Sequence, residues 1–113
     1  MAPFKTLGKM IAVGVLLGVS SPLFASVCPS DFHQLPVMEN ASYCQLFDDK
    51  LPASLSYHAN QSPQQALAFY QQLTDISVQT EKDRQVIRHA SGNWLLIISA
   101  DGEGSQIDML VKQ

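Results

Sequence analysis

The chain has 113 residues, of which 46% are hydrophobic and 15% charged, enough for one globular domain and too short for a multidomain enzyme. Seven Lys and Arg stand against ten Asp and Glu, a formal charge of −3. That balance excludes nucleic acid as a partner, because a nucleic-acid binder needs clustered basic side chains to meet phosphates.

Residues 1–25 open with Lys5 and Lys9, continue through an apolar stretch from Met10 to Val19 and leave through Ser20 to Ala25. A basic start, an apolar middle and a small-residue exit are the order of a secretory signal peptide, with cleavage expected after Ala25. The apolar stretch is about half of the roughly 20 residues a membrane-spanning helix needs, and no later run approaches that length. The expected product is an exported chain with no transmembrane segment, periplasmic in a Gram-negative source and secreted otherwise. It keeps 113 − 25 = 88 residues and loses two lysines, leaving five basic against ten acidic side chains, or −5.

Cys28 and Cys44 are the only cysteines, and both lie in the exported part, where disulfides form and persist. Paired, they close a loop of about 15 residues, which contributes roughly 3 kcal/mol in the chain-entropy model. Neither competing chemistry fits. The order Cys28, His33, Cys44 matches no common zinc spacing, and a redox pair is more often Cys-x-x-Cys.

Residues 26–53 read as an irregular, disulfide-closed N-terminal segment with scattered apolar side chains (Phe32, Leu35, Val37, Met38, Tyr43, Leu46, Phe47) and at most a short helix near Ala41 to Phe47. Residues 54–113 read as a single α+β domain. Its first strand is Ser54 to Ala59, where Leu55, Tyr57 and Ala59 alternate with Ser54, Ser56 and His58. Ser62, Pro63 and Gln65 then form a helix start: a cap, a residue suited to the first helical position, and the third residue of a capping box. Ala66, Leu67, Phe69, Tyr70 and Leu73 place an apolar stripe on that helix, predicted from Pro63 to about Leu73. Ordinary core packing accounts for the aromatic pair Phe69-Tyr70. Beyond it Ile76 and Val78 alternate with polar neighbours and, after the charged stretch Glu81-Lys82-Asp83-Arg84, comes Gln85 to His89, as one bent strand or two short ones. A turn at Ser91-Gly92 follows, then the apolar strand Trp94 to Ile98, a turn over Asp101 to Ser105, and a last strand from Gln106 to Val111. The expected fold is a small antiparallel sheet with one amphipathic helix packed on one face.

The strand at Trp94 is apolar on both sides. Trp94, Leu96 and Ile98 point one way, and Leu95 and Ile97 point the other. Leu110 lies beside Asp108 on that second face, and one helix cannot cover both. The economical cover is the N-terminal segment; the functional alternative is a protein partner or a second copy meeting Leu95, Ile97 and Leu110. Lys82, Arg84 and Arg88 form the main basic spot, with Arg84 and Arg88 of equal strand parity, and a solvated edge is the plainer account of them.

Catalytic chemistry has no clear signature. His33, His58 and His89 are dispersed, and Ser54, Ser56, Ser62 and Ser91 lack a nucleophile elbow. Asp101, Glu103 and Asp108 sit in a Gly-rich hairpin that lacks the ligand pattern of a calcium loop. No catalytic, cofactor or metal residue is assigned. The expectation is a small exported, non-enzymatic binding or accessory protein, such as an inhibitor or immunity-type protein. The alternatives are a small hydrolase depending on His58 and Asp101, and a self-associating structural component of the envelope.

Overall fold

The computed structural model describes residues 28–113; the signal-type segment, residues 1–25, lies outside the described residues. Two strands of two residues, β1 (Asp31–Phe32) and β2 (Leu35–Pro36), form a miniature hairpin. Then come β3 (Ser42–Phe47), β4 (Ala53–Ala59), the helix α1 (Pro63–Tyr70), β5 (Ile76–Glu81), β6 (Arg84–His89), β7 (Trp94–Asp101) and β8 (Gly104–Val111). The last six strands make one antiparallel sheet in the order β3-β4-β8-β7-β6-β5. The α+β class expected from the sequence therefore holds, with one short helix against an antiparallel sheet.

Local chemistry accounts for most of these elements. Ser62 caps α1 as expected: its side chain accepts from the Gln65 amide, the Gln65 side chain accepts from the Ser62 amide, and Pro63 opens the helix. The helix stops at Tyr70, one turn short of Leu73, because Leu73 turns back through a bond from its amide to the Tyr70 carbonyl, and Asp75 then takes φ +59° to start β5. The stretch from Ile76 to His89 is two strands, separated by the turn residues Lys82-Asp83. The last hairpin is tighter than expected, with Gly102-Glu103 alone joining Asp101 to Gly104 and Gly102 supplying φ +63°. Gly104 is itself required: a Cβ there would collide with the Ala59 carbonyl oxygen and stand 2.8 Å from the His58 ring.

Residues 42–47 correct an expectation. They are neither irregular nor helical but form the edge strand β3, paired to β4 with a bulge between Ser42 and Gln45. The run Ser-Tyr-Cys-Gln-Leu-Phe contains no good helix start and two aromatic residues, and backbone pairing to the open edge of β4 decides its conformation. The Cys28–Cys44 disulfide is formed, with the two Cα atoms 5.5 Å apart, and ties the start of the described chain to this strand.

One face of the sheet carries the core. Its central row runs Leu55, Met109, Leu96, Ile87 and Val78 across β4, β8, β7, β6 and β5. Helix α1 lies over β7 and β8 and buries Ala66 and Tyr70 completely. At eight residues it is about 12 Å long, while six strands span about 24 Å, so much of the face is left to another cover. Phe32, Leu35, Val37 and Met38 supply it, packing into the same core as the helix. This corrects the second expectation: the N-terminal segment covers the helix face, not the opposite one. The helix face has the larger continuous apolar area, whereas the opposite face is interrupted by Ser54, Ser56, His58, Gln106 and Asp108.

A chain of buried hydroxyls locks the three layers together. The Met38 amide donates to Tyr57 Oη at 3.2 Å, Tyr57 is bonded to Tyr70 through their hydroxyls, and Tyr70 donates to the Pro36 carbonyl at 2.7 Å. Because Tyr70 gives its proton to Pro36, Tyr57 is the donor between the two phenols. Burial raises both phenol pKa values above the usual tyrosine range.

Candidate functional site

Cross-strand register places the side chains of the second face. One row crosses it as Phe47 on β3, Ser54 on β4, Leu110 on β8, Leu95 on β7 and Arg88 on β6. The next row runs Gln45, Ser56, Asp108, Ile97 and Val86. The five residues singled out from sequence, Leu95, Ile97, Leu110, Arg84 and Arg88, therefore share one face. Leu95, Ile97 and Leu110 are half-buried by their neighbours within the sheet, and none belongs to the core cluster. Arg88 is held across the hairpin, donating to Gln79 at 2.9 Å and lying 3.4 Å from a Glu81 carboxylate oxygen. Arg84 stands exposed at the start of the same strand.

Two members of this surface were not foreseen. Val86 is almost fully buried on the second face, flanked by Ile97 across the ladder and by Arg84 and Arg88 along its own strand. Its alternation with the arginines was the available signal. Phe47 was assigned to an irregular cover, but in β3 it becomes the outer end of the apolar row. Ser54 alone stands between Phe47 and Leu110 in that row.

That edge carries the greatest hydrophobic exposure. Among the described residues the exposed large hydrophobic side chains are Tyr43 (81%), Leu46 (49%), Phe47 (67%) and Leu51 (47%). All four belong to β3 or to the connection from it to β4. The bulge, where Tyr43 takes φ +54°, blunts the first half of the strand against further pairing. The second half, Gln45 to Phe47, has no charged side chain of its own.

Each histidine has a polar partner. His33 Nε2 lies 2.8 Å from Asp48 Oδ1 and His58 Nδ1 lies 3.1 Å from Asp101 Oδ2. His89 Nδ1 receives the Ser91 amide at 3.1 Å and lies 2.7 Å from Ser91 Oγ, which itself accepts from the Asn93 amide at 3.1 Å. An Nδ1 that accepts from an amide carries no proton, so the neutral His89 ring holds its hydrogen on Nε2. The pairing of His58 with Asp101, which a hydrolase would exploit, is thus present, but the neighbouring Ser56 hydroxyl donates to Asp108 at 2.6 Å rather than to His58. Asp101 and Asp108 are committed to different partners, and among the described residues no three His, Cys, Asp or Glu side chains converge on a metal-sized point.

Among the clefts formed by the described residues, two are of note. The smaller, about 220 Å³, lies over Tyr43, Ser56, His58, Asp101 and Gln106 on the second face. The larger, about 470 Å³, lies at the end of the sheet where the β1–β2 hairpin, the α1–β5 connection and the β6–β7 turn meet, with Leu35, Leu73 and Val111 among its apolar lining. Compared with known proteins, the chain matches no family model, no curated protein and no solved structure at a significant level.

Proposed function

We propose that the protein is a small exported, non-enzymatic binding or accessory protein that holds a protein partner against the β3 edge and the adjoining second face. The observation that carries this reading is the gathering of Tyr43, Leu46, Phe47 and Leu51 at one sheet edge, where Phe47 stands in the row that leads through Ser54 to Leu110 and Leu95 while Leu46, opposite Leu55, looks to the other side. Exposed apolar side chains scattered singly are ordinary, but a contiguous set on an unpaired edge is what protein interfaces use. The disulfide supports it, because Cys44 anchors the middle of β3 and so presents Phe47 and Leu46 in a fixed geometry. Asp48 and Asp49 follow β3 and Asp108 stands opposite Ile97, whereas Arg84 and Arg88 border Leu95 and Val86, so the face is acidic towards β3 and basic at β6, a charge polarity that would orient a partner. An inhibitor or immunity-type role is the concrete form: stoichiometric association without turnover.

The test is affinity capture from the native envelope extract with the oxidised protein and with Leu46→Lys/Phe47→Lys side by side. Both positions are exposed, so the variant should keep its thermal transition. The wild type should recover one stoichiometric partner, and the variant should bind it at least about thirtyfold more weakly, the effect of losing a hydrophobic anchor of about 2 kcal/mol. Equal recovery by both proteins, or catalytic turnover of a substrate, would exclude this reading. Recovery of the protein as a dimer that the variant abolishes would replace the foreign partner by a second copy.

A further inference from the structure

The larger cleft combines three features that the docking edge does not explain. Its polar lining includes the indole of Trp94, the imidazoles of His33 and His89, the amides of Gln34 and Asn93 and the Ser91 hydroxyl; among the described residues no Asp, Glu, Lys or Arg side chain lines it. Its volume lies within the range of small-molecule sites. Both imidazoles are also held in place from behind, His33 by Asp48 and His89 by Ser91 and its amide, while His89 lies against Trp94 with ring centroids 5.4 Å apart.

The backbone supplies an independent observation. His33 and Gln34 are the two central residues of the β1–β2 turn, and their φ angles are +49° and +71°. Two consecutive positive φ values are the requirement of a type I′ hairpin turn, which Asn-Gly meets without strain. Histidine and glutamine meet it at a cost, and glutamine has no local side-chain bonding to offset it. Both side chains line the cleft. Among the described residues Tyr43, Asp75 and Lys82 also take positive φ, but only at His33 and Gln34 do two such residues in succession line a ligand-sized cavity, which motivates a functional reading of their side chains.

We propose that this cleft binds a neutral saccharide. A sugar ring presents an apolar face that stacks on an indole and a perimeter of hydroxyls that both donate and accept. The lining matches that pattern: side-chain amides that donate and accept, a Ser91 oxygen left to accept because its hydrogen is given to His89 Nδ1, and an imidazole whose Nε2–H is fixed as a donor. The lining holds no Asp, Glu, Lys or Arg, and His33 already faces Asp48, so a charged ligand would be desolvated there without a free counter-charge.

Trp94 is the only tryptophan, so its fluorescence reports on this cleft alone. The experiment titrates the purified oxidised protein with glucose, galactose, mannose and maltose, and with glucuronate and glucosamine as charged counterparts. A saturable change in Trp94 emission is expected for at least one neutral sugar, with weaker binding of the charged ones. His33→Asn/Gln34→Gly restores the preferred turn pair, so its thermal midpoint should rise while affinity for that sugar falls about tenfold, the effect of one or two hydrogen bonds. Asn93→Ala, which leaves the turn backbone in place, should weaken binding similarly. The proposal is overturned by the absence of a saturable response to every neutral sugar, by preference for a charged one, or by undiminished affinity in both variants.

Discussion

Tyr70 shows how one side chain can join three layers. Its ring fills the helix–sheet core, and its hydroxyl ends the bond chain that starts at the Met38 amide and passes through Tyr57. Tyr70→Phe keeps the ring but leaves the Pro36 carbonyl and the Tyr57 hydroxyl without their partner in a dry site. Urea unfolding should show a loss of about 1–3 kcal/mol, the cost of stranding buried polar groups. An unchanged midpoint would mean that the N-terminal segment is held by its apolar contacts alone. The ring's burial was legible from its place in the helical stripe, whereas the partners of the hydroxyl were not, because Pro36 lies 34 and Tyr57 13 positions away in the chain.

At the scale of elements, α1 and β3 make an instructive pair. The start of α1 was written in Ser62, Pro63 and Gln65, since capping is a bond between neighbours in sequence. β3 has no such local signature; its strand conformation comes from pairing with β4 and from the covalent tie at Cys44. Cys28→Ser/Cys44→Ser should therefore cost about 3 kcal/mol by releasing the unfolded chain from its loop constraint. In the same protein, hydrogen exchange should accelerate at Gln45 to Phe47 more than in β7 or β8, which are paired on both sides. Equal protection of the three strands would show that pairing to β4 alone fixes the edge.

For the molecule as a whole, the buried phenols link folding to alkaline pH. Both tyrosines have folded-state pKa values raised above the unfolded value of about 10, so the fold retains protons that the unfolded chain gives up. Their contribution is fully present below about pH 10 and is lost as the pH climbs above it, by up to about 1.4 kcal/mol per pH unit for each tyrosine. Stability measured from pH 8 to 12 should fall steeply at the alkaline end, and Tyr57→Phe/Tyr70→Phe should flatten that limb while lowering the plateau. A limb of equal slope in both proteins would assign it to other groups.

What the sequence by itself determined are the features whose cause is local or periodic: the capped helix, the alternating strand from Ser54 to Ala59, the turns at Ser91-Gly92 and within Asp101 to Ser105, the α+β class, and the shared parity of Leu95 with Ile97 and of Arg84 with Arg88. The pairing of the only two cysteines was legible by count. Tertiary structure alone decided which face the N-terminal segment covers, that Phe47 stands at an unpaired edge in the row of Leu110 and Leu95, and that His33, Gln34, His89 and Trp94 meet around one cleft. Those outcomes compare the burial of one surface against another or bring together residues far apart in the chain. Period and propensity describe neighbours; only the closed fold places distant residues side by side.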